Sequence, residues 1–145
     1  MIFSQSTEYA LRAVVYLASS QGEARTTQAI AEVAKVPPDY LSKILQSLRK
    51  AGIVSSQRGL RGGFLLAKPA TEIRLLEVVN AIDPVERIRT CPLKLKSHGS
   101  NLCALHRTLD LAIASVELAL SAGTIEELLN TPSPSRPLCE HAQGG

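Results

Sequence analysis

The chain has no tryptophan, and aromatic side chains make up only 3% of its 145 residues. A core without large rings must rest on Leu, Ile, Val and Ala, a choice that favours closely packed helices. No run of about eighteen uncharged apolar residues occurs, which argues against a membrane span. The apolar N-terminus carries Glu8 and Arg12 and lacks a basic leader, so no signal peptide is expected. Cysteine is scarce: three unevenly spaced residues cannot build a disulfide scaffold, and a cytoplasmic protein would keep them reduced. Missing too are a nucleophile–base constellation and a phosphate-binding loop, which leaves an enzyme as the least supported class.

Charge is modest overall, 20% of residues with a formal net charge of +3. Its distribution says more. Between Val36 and Lys68 stand six basic residues, Lys43, Arg49, Lys50, Arg58, Arg61 and Lys68, against the single acid Asp39. That segment is strongly basic and the remainder slightly acidic, as in a polyanion-binding module joined to one with another task.

The hydrophobic periodicity predicts a mainly α fold with a small β-hairpin. Ser4–Ser19 reads as a helix apolar on nearly every side, hence buried on more than one face. Thr26 or Thr27 can cap a second helix whose apolar stripe is Ala29, Ile30, Val33 and Ala34. Pro37 and Pro38 stop that helix and favour a new helical start. In the third helix Tyr40, Leu41, Ile44, Leu45 and Leu48 recur at helical spacing, with Asp39, Ser42, Lys43, Gln46 and Lys50 opposite them. Gly52 is a C-terminal cap. Strands Ile53–Gln57 and Phe64–Ala67 flank the turn Arg58–Gly63, and Arg74–Ile82 is a fourth helix. Three short helices followed by a Gly-rich hairpin is the order of a winged helix-turn-helix.

Residues 85–102 show no period and read as a loop. A long helix then runs from Cys103 to Leu120, with Leu105, Leu109, Ala112, Val116 and Leu120 on one stripe that resembles a coiled-coil seam. One helix cannot bury that stripe, and a second copy of the chain is the most economical partner. Thr124 and Glu127 form a capping box for a last short helix to Asn130. The organisation expected is a winged helix-turn-helix domain over 1–84, a sensor loop over 85–102, a dimerisation helix and short terminal helix over 103–130, and a disordered tail over 131–145 that holds Cys139 and His141.

An α-helix fits the major groove, where each base pair presents its own donor and acceptor pattern. Short polar groups at Asp39 and Ser42 permit close approach of the third helix, and Lys43 and Gln46 can reach base edges or phosphates. The glycines of the turn let the backbone near a phosphate chain, and Arg58 or Arg61 can enter a narrow minor groove.

Three segments in order resemble a bacterial family of transcription regulators that includes IscR, NsrR and CymR. They are Phe3–Ala13, the pair Tyr40–Leu45 and Leu48–Ser56, and most specifically the wing Arg58–Leu66. The resemblance covers about residues 1–130 and implies a cytoplasmic homodimer, a repressor, on a pseudo-palindromic duplex DNA site. It puts recognition-helix contacts on Asp39, Ser42 and Lys43 and the minor-groove arginine on Arg58. Ser42 stands where some relatives have an acid, so operator preference does not carry over.

The same resemblance bears on Cys91, Cys103 and His106, because cluster-binding members place cysteines in the loop before the long helix. Two thiolates and an imidazole there can hold an iron–sulfur cluster, of the 2Fe–2S type, or zinc. Many members have a third, middle cysteine, and here that position is Ser97, beside His98. Glu8 of the other subunit, Ser97 or His98 can complete the set. A cluster would sense iron, redox state or nitric oxide. The alternatives are a cluster-free regulator of the CymR type, a thiol switch between Cys91 and Cys103, and a protein-interaction adaptor that uses the winged helix without DNA.

Overall fold

The computed structural model describes residues 1–97 and 101–138. His98, Cys139 and His141 therefore lie outside the described residues. Helix α1 spans Gln5–Ser19 and begins where the Ser4 hydroxyl accepts a hydrogen bond from the Thr7 N–H at 3.1 Å. It packs against helix α2 (Thr27–Ala34), helix α3 (Pro38–Lys50), helix α4 (Leu75–Ile82) and helix α6 (Ile125–Asn130). The all-round apolar character of α1 matches that central place, and Ala10 and Ala13 are small enough to let its neighbours close on it.

Thr26 caps α2 by accepting from the Ala29 N–H at 3.1 Å. The helix ends not on glycine but on Lys35, held in the left-handed region at φ 55°. Its last carbonyls find a donor in α1: Arg12 Nη1 donates to the Ala34 carbonyl at 3.1 Å. Pro38 occupies the first turn of α3, where its missing N–H costs nothing. Leu41, Ile44, Leu45 and Leu48 of α3 are buried, and Gly52, at φ 78°, turns the chain into the hairpin.

Strands β1 (Val54–Gln57) and β2 (Gly63–Leu66) pair antiparallel, with Val54 opposite Leu66 and Gln57 opposite Gly63. β1 starts one residue later than the sequence expectation, because the Ile53 N–H turns back to the Leu48 carbonyl at 3.0 Å, and β2 lies one residue earlier, with Gly63 paired to Gln57. A short 3-10 helix, Ala70–Glu72, precedes α4 and had no periodic signal. Between α4 and the long helix α5 (Ala104–Ala122) the described residues form no helix or strand, as expected of the 85–102 segment.

The path of the chain after α5 is less expected. Thr124 and Glu127 make the capping box of α6, and the Ile125 N–H donates to the Ile73 carbonyl at 2.9 Å. Ile125 is fully buried in the same core as Val14, Leu41, Leu45 and Val78. The terminal helix is thus part of the winged-helix body.

Two arginines fasten α5 to that body. Arg74 Nη1 donates to the carbonyls of Ser121 and Ala122 at 3.4 and 3.3 Å, supplying donors that a helix C-terminus lacks. Arg87, in the segment after α4, grips Asp110 through Nε and Nη2, both at 2.8 Å, and the Ile88 N–H donates to the same carboxylate at 2.9 Å. The Arg87 hydrogen bond foremost, with the Ile88 amide helping, holds the Asp110 carboxyl at about 2, below its ordinary 3.8. A carboxylate whose folded-state pKa is depressed contributes stability that is fully present above its unfolded pKa. That contribution is lost as pH falls from the ordinary carboxylate range toward the folded value.

Two outcomes follow from this architecture. Ile125→Ala lowers unfolding free energy by about 2–4 kcal/mol in urea titrations, the range for a truncated core isoleucine; a value near zero would detach α6 from the core. In NMR, the Ile88 amide proton shift titrates with a midpoint near 2, following Asp110, and the titration vanishes in Asp110→Asn.

Candidate nucleic-acid interface and sensor loop

The polar face of α3 exists because its opposite face is committed to the core. With Leu41, Ile44, Leu45 and Leu48 turned inward, Asp39, Ser42, Lys43, Gln46, Arg49 and Lys50 are left at the surface. The Ser42 hydroxyl is occupied by its own helix, donating to the Pro38 carbonyl at 3.2 Å, which keeps the side chain short against the surface. Acid and base are ordered along α3, with Asp39 in the first turn and Arg49 and Lys50 in the last, each on the side the helix dipole favours.

The wing is held by a feature that the sequence did not signal. Arg25 and Phe64 exchange two backbone hydrogen bonds, Arg25 N–H to the Phe64 carbonyl at 2.8 Å and Phe64 N–H to the Arg25 carbonyl at 2.7 Å. A single residue thereby adds a third rung beside β2, and one isolated bridge leaves no periodic trace. The approach is possible only because position 63 is glycine: at φ 140°, a Cβ there would collide with the Arg25 carbonyl. The Arg25 side chain continues inward, donating to Ser20 Oγ at 3.1 Å and lying over the Tyr16 ring. Beyond this anchor Arg58 and Arg61 are exposed on the turn, with Gly62 N–H closing it on the Gly59 carbonyl at 2.9 Å.

The residues of the sensor loop are brought together only in part. Cys103 sits at the N-cap of α5, and its Sγ is 3.4 Å from His106 Nδ1 one turn on. Cys91 is buried, and its carbonyl accepts from the Lys94 N–H at 2.9 Å in a turn of the loop. No group of three or more His, Cys, Asp or Glu side chains suited to a metal ion forms among the described residues. Glu8 faces its own helix neighbour: its Oε2 is 2.7 Å from Arg12 Nε. A cleft of about 920 Å³ lies elsewhere, lined by Tyr16, Leu66, Leu129 and Arg136, and neither Cys91, Cys103 nor the wing arginines border it.

The family model for Rrf2, an iron-dependent transcriptional regulator, matches residues 3–131. An HTH-type transcriptional regulator of Aquifex aeolicus is 32% identical over 133 residues, which are 90% of this chain and 92% of that protein. Among solved structures, T. potens IscR superposes with a TM-score of 0.76 at 23% identity, covering 99% of this chain and 94% of that one. CymR, the global cysteine regulator of B. subtilis, gives 0.74 at 20% identity over 92% of this chain and 99% of its own. The oxidized form of Staphylococcus aureus CymR gives 0.70 at 25% identity over 92% and 99%. Those likenesses fix the winged helix-turn-helix with a long helix α5, and no helix among the described residues is long and apolar enough to cross a membrane. With its family model spanning nearly the whole of the folded chain, this protein belongs to the Rrf2 family of transcriptional regulators, not to an enzyme family.

Proposed function

We propose that the chain acts as a homodimeric repressor on a pseudo-palindromic duplex, reading the major groove with Asp39, Ser42 and Lys43 and the minor groove with Arg58. The observation that carries this reading is the exposed polar face of α3 beside a wing whose two arginines stand free of the core. A dimer is supported by α5. It buries no residue in the chain, and Leu105, Leu109, Leu111 and Leu118 are exposed along it. Two copies sharing α5 would pair two recognition helices on half-sites about one helical turn apart.

For the signal, the chemistry supports an iron–sulfur cluster at the start of α5. Cys103 and His106 are already adjacent donors at 3.4 Å, and Cys91 stands at the other end of the same loop. Glu8 of the other subunit would complete a set of two thiolates, an imidazole and a carboxylate. A 2Fe–2S cluster bound there would supply sensitivity to iron, redox state or nitric oxide. The chain's own residues provide the coupling: the loop is pinned to α5 by Arg87 and Asp110, so a change in the loop bears directly on the dimer helix. Two observations favour a cluster-free regulator of the CymR type instead. Glu8 is engaged by Arg12, and no three-donor group forms among the described residues.

Duplexes enriched from a random pool supply the DNA test. Arg58→Ala weakens binding across all enriched sequences and lowers the slope of log K against log salt by about 0.9 for each phosphate no longer neutralised. Ser42→Ala instead changes which base is preferred at one position. Salt-independent binding would leave the adaptor reading standing. For the sensor, protein purified without oxygen should be brown, with iron and sulfide in equal amounts. Cys91→Ala, Cys103→Ala, His106→Ala and Glu8→Ala should each bleach or shift the visible spectrum. Colourless, iron-free protein would decide for the cluster-free regulator.

A further inference from the structure

The wing carries one side chain that neither the core nor a charge-based contact with DNA explains. Leu60 stands at the apex of the hairpin turn and is 108% exposed, the most exposed large apolar residue of the described chain. A single leucine at a surface is ordinary. This one is held out on a closed turn, between the exposed Arg58 and Arg61. The apolar side chains of the strands are covered: Val54 is buried, Phe64 and Leu66 pack on the core, and Leu65 is half-buried. Leu60 alone extends past them.

Its support is unusually constrained. Gly59 has φ 104°, a conformation that L side chains rarely adopt. A Cβ at Gly62 would meet the Gln57 carbonyl at 2.5 Å and the Gly59 carbonyl at 2.8 Å. The turn is closed by Gly62 N–H on Gly59 O at 2.9 Å, and Gln57 Nε2 reaches the Arg61 carbonyl at 3.5 Å. The glycines thus pack the turn tightly and leave its tip slender. The result is a narrow apolar point flanked by two guanidinium groups, fixed to the body through the Arg25–Phe64 rung.

We infer that Leu60 is an apolar wedge that enters the minor groove and partly unstacks one base step. A leucine has no hydrogen bond to offer a groove floor, so its gain lies in contact with sugar and base faces opened by unstacking. The step it selects is a pyrimidine–purine step, TA or CA/TG, because those unstack most easily. Arg58 in the groove and Arg61 beside it carry the charge; Leu60 carries shape. The inference rests on the reading that the wing lies in the minor groove, and it adds a sequence preference there and a kink in the duplex.

The test uses duplexes enriched from a random pool by the full-length wild-type chain, with 2-aminopurine placed at successive steps of the wing-flanked region. Wild-type protein should raise 2-aminopurine fluorescence at one pyrimidine–purine step per half-site. It should also bend the duplex by about 20–90°, read by end-to-end energy transfer. Leu60→Ala, at a position outside the core, should melt at the wild-type temperature. It should lose both signals and bind roughly five- to tenfold more weakly, in the range set by one mismatched base pair. The salt slope should stay unchanged, whereas Arg58→Ala lowers it. Leu60→Met should retain the unstacking. Replacing the step by a stiff A-tract should weaken the wild type and leave Leu60→Ala indifferent. Wild-type-like bending and fluorescence in Leu60→Ala would overturn the wedge while leaving the wing's DNA contact intact. Failure to enrich any duplex, or a flat salt dependence, would overturn the underlying DNA reading and the wedge with it.

Discussion

The burial of one face of α3 against α1 is the constraint from which the rest of the surface follows. Leu41, Leu45 and Leu48 are fully buried and fix the helix in rotation as well as in position. A rotation large enough to expose them would take Ser42 and Lys43 off the surface together. The core and the exposed polar face are thus one decision, made by the spacing of three leucines and one isoleucine in thirteen residues. The hub helix α1 contributes to the same end in two ways. Its small residues allow close approach, and its Arg12 supplies the donor that the end of α2 lacks.

A second set of interactions determines how the long helix stands on that body. Arg74 at the C-terminal end of α5 and Arg87 at Asp110 act on its two halves. Both are charge-assisted or directed at helix carbonyls, and they hold α5 while Leu105, Leu109, Leu111 and Leu118 stay exposed. α5 also packs along α4, and its Ile113, Val116 and Leu120 are half-buried. The Arg87 clamp also puts the loop that carries Cys91 in mechanical contact with α5, since Ile88 and Asp110 share a hydrogen bond.

Much of this could be read from the sequence where the signal was local. The capping box at Thr124 and Glu127, Pro38 opening α3, Gly52 after it, and the leucines of α3 each rest on residues within one or two turns of one another. What escaped was long-range in the chain. Arg25 meets Phe64, Arg87 meets Asp110, and Ile125 joins a core begun at Ala10. None of these pairs has a period, and each depends on where the chain happens to return. The exposure of Leu111 and Leu118 was also missed, because the stripe through Leu105 and Leu109 accounts for only part of the apolar arc of α5. The candidate ligands show the same divide. Cys103 and His106, one turn apart at the start of α5, come together as spacing suggests, whereas Cys91 and Glu8 lie far apart in the chain and are not brought to them.

The return of α6 has a consequence for how such a protein can change over evolutionary time. The chain leaves the neighbourhood of Ile73 and Arg74, runs through α4, the cysteine loop and α5, and comes back to the same two residues at Thr124 and Ile125. Beyond α4, that stretch is an excursion with its two feet side by side on the DNA-reading body. A loop closed in this way can lengthen, shorten or exchange its side chains with little effect on the register of the core beneath it. The loop can drift while the winged-helix body stays in place, which makes it an interchangeable cassette on a fixed socket.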